Sequence, residues 1–298
     1  MQAFLQEPTK YYVRGLTRDT TSAKSKNLAD QGVELVQADL DDANSLQNAF
    51  EGAHIIYAMT DFWQSMSATV EFEQGKRIVD IAAALPQLEH FVWASLPDGK
   101  ELSKGEFVNI FHWQSKADVA KYTKNSKPAL WAKTIEILFP NYFENCVTNA
   151  PVYLPVKVGY QLLRSTIVML GLLTPCSQHK DGTYVRSFVL PGETPLPNAA
   201  ISDTGKLVKY LTEHDDEYHK RTIAFNSQSI SELAKLEVLH KGKRETSWSN
   251  LRRPNPFLYS IQHPRPVRAD SATRLPQQAR SSNGPGDRTG LHRAVDDL

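Results

Sequence analysis

A chain of 298 residues, 41% hydrophobic and 22% charged, is long enough for one large domain or two small ones and has the composition of a soluble globular protein. Its net charge of +1 provides no global field to recruit nucleic acid or an acidic surface. No apolar run approaches the roughly 18 residues of a membrane span, the start "MQAFLQEPTK" lacks the pattern of a signal peptide, and Cys146 and Cys176 give neither a disulfide framework nor metal-ligand spacing. The cytosol is the default compartment, with the nucleus also open.

Residues 11–139 alternate between two patterns. "YYVRGLT" (11–17) is a β-branched and aromatic run, and "TSAKSKNLADQG" (21–32) is polar, helical and closed by Gly32. "VELVQADL" (33–40) reads as a second strand. "DDANSLQNAFEG" (41–52) reads as a helix with acidic N-cap candidates and a terminal glycine. "AHIIYAMT" (53–60) is a buried strand. Over 67–85, Val70, Ile78, Ile81, Ala82 and Leu85 fall on one helical face. "HFVWASL" (90–96) is a strand, a helix is expected from about 113 to 125, and "KTIEILFP" (133–140) is a strand. Strands alternating with helices through short connections predict parallel βαβ units. The fold class is therefore α/β, a doubly wound, Rossmann-like parallel sheet over residues 1–145. Ligands of such sheets bind outside the carboxyl ends of the strands.

After residue 145 the alternation fades. The stretch 146–236 reads as a smaller, irregular substrate-side subdomain. Within it, "NAAISDTGKLVKYLTEH" (198–214) predicts a turn, an Asp-Thr cap and an amphipathic helix. "RTIAFNSQSISELAKL" (221–236) predicts a strand and then a helix capped by a serine. Residues 237–298 are expected to form a disordered tail, and from about residue 250 Arg, Pro, Ser and Gln dominate without apolar periodicity. A basic interaction arm, a solvated tail and a stretch that was never coding are the readings of that tail.

The strand ends carry the candidate chemistry. In "VRGLTRD" (13–19), Arg18 follows a strand at the place where an arginine pairs with the 2′-phosphate of NADP. A solvated arginine is the plainer alternative. In "QADLDD" (37–42), Asp39 can accept from an adenine amino group, with Asp41 or Asp42 left to cap the next helix. Thr60 and Asp61 stand at the following strand end, and Phe62 and Trp63 form either an apolar wall of the cofactor groove or core packing.

In short-chain reductases a serine polarises the carbonyl, a tyrosine donates the proton, and a lysine four residues later lowers the tyrosine pKa and holds the ribose. Here Ser95 and Lys116 stand in the corresponding elements, with His112 in place of the tyrosine, one helical turn from the lysine. The ammonium of Lys116 is expected to push the His112 pKa down. Loss of the reductase acid is the simpler reading of this substitution. No G-x-x-G-x-x-G turn occurs to meet a pyrophosphate, and residues 1–10 read as the end of a first helix, so the first strand and the glycine loop are expected to be missing.

Taken in order, "VRGLTRD", "GVELVQADLDD", "AMTDFW", "EQGKRIVDIA", "HFVWASL", "FHWQSKADVAKY", "TIEILFPNYFEN" and "LPNAAISDTG" resemble the NmrA-like family, atypical relatives of the short-chain dehydrogenases, from about residue 3 to residue 236. The resemblance implies a Rossmann domain that binds NADP, with NAD second. By position it implies Arg18 at the 2′-phosphate, Asp39 near adenine, Thr60 near the ribose and diphosphate, and Lys116 on the nicotinamide ribose. Pro140, Asn141 and Tyr142 would lie along the nicotinamide. A histidine at position 112 is usual in the regulatory branch. The resemblance thus implies a redox-sensing regulator that binds a protein partner such as a transcription factor. The alternative is an NADPH-dependent reductase of a small carbonyl or enone, with Ser95, His112 and Lys116 as its catalytic residues.

Overall fold

The computed structural model describes residues 1–148, 177–178, 184–185 and 190–242. Disorder was expected from residue 237, but residues 237–242 instead complete the helix Glu232–Gly242; the rest of that tail lies outside the described residues, as does most of the irregular stretch 149–189. The chain divides into two units, Met1–Tyr142 with Pro197–Gln228, and Phe143–Leu196 with Ser229–Leu298.

In the first unit the short helix α1 (Gln2–Leu5) precedes β1 (Arg14–Thr17), α2 (Ala23–Ala29), β2 (Glu34–Gln37), α3 (Ala43–Phe50) and β3 (Ile55–Ala58). Then come α4 (Phe62–Ser65), α5 (Ala68–Ala83), β4 (His90–Ser95), α6 (Gly99–Leu102), α7 (Phe111–Ser126), α8 (Pro128–Trp131), β5 (Thr134–Leu138) and β6 (Asn141–Tyr142). The chain returns to this unit with a helix over Ile201–Glu213, a short one over Asp215–Tyr218, and a strand over Arg221–Ala224. That last strand lies beside β5 in a four-stranded sheet continuing through β4 to β3, while β1 and β2 form a separate pair. Every pairing among them is parallel: Arg14 opposite Glu34, Ile55 opposite His90, Phe91 opposite Thr134, and Arg221 opposite Ile135. This is the pattern that the strand–helix alternation requires. In the second unit, the helix Glu232–Gly242 has its first turn tied by Ser231, whose Oγ accepts from the Ala234 N–H at 3.2 Å.

Local sequence explains the element ends. Asp42 accepts from the Asn44 N–H at 2.9 Å and caps α3, Ser67 accepts from Val70 at 3.3 Å and caps α5, and Asp98 accepts from Glu101 at 2.8 Å and caps α6. Gly32 and Gly52 follow α2 and α3 with φ of 91° and 74°, a left-handed backbone that glycine adopts without strain. All six residues of β4 are buried, as expected of a strand covered on both faces. Phe91 and Trp93 project into a core with Leu46, Phe50, Ile78, Val79 and Val119, built from α3, α5 and α7.

Two local expectations are corrected. Val70 is exposed, and the buried stripe of α5 runs through Glu71, Gln74, Gly75, Ile78, Val79 and Ala82. Reading only apolar residues rotated the face away from the polar ones that point inward. The helix at 201–213 begins before Asp203, with Ala200 at the N-cap and no side-chain cap; Asp203 sits in the first turn, where its charge meets the positive end of the helix.

Helices α5 and α7 cross at Gly75. A Cβ there would lie 2.5 Å from Val119 Cγ2 and 3.2 Å from Trp93 Cη2. Alanine normally gains about 1 kcal/mol over glycine inside a helix. Here overpacking opposes that gain, and we expect Gly75→Ala to destabilise by about 1–2 kcal/mol net. Urea denaturation checks this, and an unchanged or raised midpoint would show that the crossing yields.

Candidate functional site

The segment after β3, the first turn of α5 and the second turn of α7 meet in a buried polar group. Glu71 on α5 is fully buried. Its Oε1 accepts from Thr60 Oγ1 at 2.8 Å and from Lys116 Nζ, and its Oε2 accepts from Ser115 Oγ. Lys116 Nζ also donates to the Thr60 carbonyl at 2.7 Å and to Thr60 Oγ1 at 2.9 Å. An ammonium has three N–H groups, so these three acceptors match its full complement. The side chain of Lys116 is 14% exposed, and the main-chain carbonyl of Lys116 accepts from Trp93 Nε1 at 3.1 Å, which ties α7 to β4.

His112 lies beside this group, half-buried against Phe62 and Trp63 at ring separations of 5.8 and 5.2 Å. Burial pushes its imidazole below the ordinary histidine value, the Glu71 charge opposes that shift, and Lys116 adds to it. The downward direction expected from the sequence is found, but its main cause is burial, not the lysine. Asp61 accepts from the Trp63 N–H at 3.0 Å and caps α4, which fixes the two aromatic rings beside His112. Phe62 is buried, while Trp63 remains half exposed.

The other candidates occupy neighbouring strand ends. Ser95 is buried at the end of β4, and its hydroxyl donates to the Leu96 carbonyl at 3.4 Å. Arg18, just past β1, is exposed. With the Gln64 amide oxygen turned toward it, that oxygen accepts from both terminal nitrogens of the guanidinium, at 2.9 Å for Nη2. This contact joins the end of β1 to α4. Asp39 is half-buried, and its Oδ1 accepts from the Asp41 N–H at 3.0 Å. Asn141 donates to Asn198 Oδ1 at 3.2 Å, the Tyr142 ring lies 6.1 Å from Phe139, and Pro140 is half-buried beside them. The structure thus joins Thr60, Lys116 and His112 into one cluster and Arg18 to Gln64.

Three participants were not read from the sequence: Glu71, Ser115 and Gln64. The signal for Glu71 was present, since it lies at the spacing of Gly75, Ile78 and Ala82 on the buried stripe of α5. Among the described residues no three His, Cys, Asp or Glu side chains converge as metal ligands, and no helix is long and apolar enough to cross a membrane.

The model of the NmrA-like family matches residues 1–254. The chain belongs to the NmrA-like family. The match continues beyond residue 236, where the resemblance read from the sequence ended. An NmrA-like family domain-containing oxidoreductase of Penicillium ochrochloron is 26% identical over 248 residues, covering 80% of this chain and 66% of the relative. Two solved structures of NmrA, a negative transcriptional regulator, match with TM-scores of 0.57 (its complex with NAD, 18% identity) and 0.56 (its complex with NADP, 17% identity). Each covers 78% of this chain and 64% of that one. The chain therefore spans about two thirds of the length of these NmrA-like relatives. At this identity the structural likeness establishes a shared α/β fold with a parallel sheet.

Proposed function

We propose that this NmrA-like chain is a redox-sensing regulator that binds a nicotinamide dinucleotide, NADP in preference to NAD, and presents the bound state to a protein partner such as a transcription factor, without dehydrogenase turnover. The residues fit the adenosine half of such a ligand: the exposed guanidinium of Arg18 suits a 2′-phosphate, and Asp39 at the end of the neighbouring strand offers a carboxylate to the adenine amino group. On this reading Thr60 and Lys116 border the nicotinamide ribose and diphosphate, and Pro140, Asn141 and Tyr142 line the nicotinamide. A dinucleotide would supply hydride chemistry when bound.

The observation that carries the non-catalytic reading is the engagement of Lys116. Its N–H groups go to Thr60 and Glu71, it has a histidine in place of a phenol to activate, and Ser95 directs its hydroxyl to a main-chain carbonyl. That NmrA itself is described as a negative transcriptional regulator supports the regulatory half. The oxidoreductase name of the Penicillium relative favours a second reading, reduction of a small carbonyl or enone with His112 as acid.

Titration of the chain with NADPH and NADP, with NADPH oxidation followed on a carbonyl panel, separates the two. As a regulator the chain binds without turnover, and His112→Phe leaves affinity within about 1 kcal/mol. Turnover that falls roughly 100-fold in His112→Phe, the usual cost of losing a general acid, would establish the reductase instead.

A further inference from the structure

We infer that Glu71 is a positioning residue that holds Lys116 in reserve: its buried carboxylate competes with a dinucleotide for the lysine ammonium, so that ligand contact by Lys116 requires exchange of a bond already made. The inference rests on the proposed dinucleotide site. Three observations support it. The acceptors around Lys116 Nζ match its donors one for one, so an incoming ribose or phosphoryl oxygen displaces a protein oxygen. Glu71 cannot follow the lysine outward, because Thr60 and Ser115 hold both its oxygens and α5 is pressed against α7 at Gly75. Its negative charge beside the lysine also offsets the attraction that an anionic ligand would otherwise feel.

Glu71→Gln keeps the shape of the side chain and removes its charge. We expect NADP to bind this variant about fivefold or more tightly than the native chain, measured by calorimetric titration on samples with native near-ultraviolet circular dichroism. The gain should vanish when Lys116→Met is added, an outcome that a purely structural role for Glu71 does not produce. Should Glu71→Gln not fold, Glu71→Asp keeps the buried charge but shortens its reach by one methylene, and must shift affinity in the same direction. Unchanged or weaker NADP binding in the folded variant, with the native chain still binding, overturns the inference and leaves the dinucleotide site intact. Absence of NADP binding by the native chain and all variants at millimolar ligand removes the dinucleotide reading itself, and the inference with it.

Discussion

Lys116→Met is expected to cost about 3 kcal/mol of folding stability at neutral pH, the low end of the penalty for breaking a buried ion pair. The lysine is the only cation bonded to Glu71 among the described residues, and Glu71 has no exposed surface. Removing it leaves a carboxylate in the interior without a counter-charge. Two facts hold the cost below the upper end of about 5 kcal/mol. Glu71 keeps hydrogen bonds from Thr60 and Ser115, and the lysine itself is partly exposed. Replacing both partners with apolar residues, Glu71→Leu with Lys116→Met, should cost less than the sum of the single replacements, because neither charge is then stranded. Urea midpoints of the four proteins measure this cycle. A single-variant loss below about 1 kcal/mol would place the pair among solvent-screened surface ion pairs.

The same cluster shows how far the sequence could be read. The parallel sheet was legible because strand and helix periodicities alternate from Arg14 to Leu138 with capping residues at the joints, and each capping signal acts within four residues of chain. Lys116 and His112 were legible because one helical turn is also a local distance. Glu71 was not assigned, because its partners lie at the end of β3 and on α7, which meet it only after β3, α5 and α7 have packed together. A buried carboxylate is set by tertiary neighbours, and a pattern search for apolar residues passes over it. The strand at 221–224 was recognisable as a strand, but its place beside β5 depends on a chain return that no local pattern encodes. The Arg18–Gln64 contact has the same character, since it joins segments on opposite sides of β2 and β3 in the sequence.

That contact bears on cofactor choice. If Arg18 meets a 2′-phosphate as proposed, its charge-assisted bonds favour NADP over NAD by about 1.5–3 kcal/mol, and Arg18→Ala should remove most of that preference while leaving NAD affinity nearly unchanged. With its amide oxygen turned toward the guanidinium, Gln64 accepts from both terminal nitrogens, which must then be shared with a phosphate when one binds. Arg18 is also exposed, so its charge is screened by salt. Both effects place the expected preference toward the lower bound and make it shrink as ionic strength rises. Arg18→Lys separates charge from shape: the ammonium retains the attraction but lacks the planar pair of donors, so an intermediate preference is expected. Titration of the three proteins with NADP and NAD at low and physiological salt is the measurement. Equal losses for the two cofactors in Arg18→Ala would show that Arg18 serves to brace Gln64 and α4 against β1, with the 2′-phosphate read elsewhere.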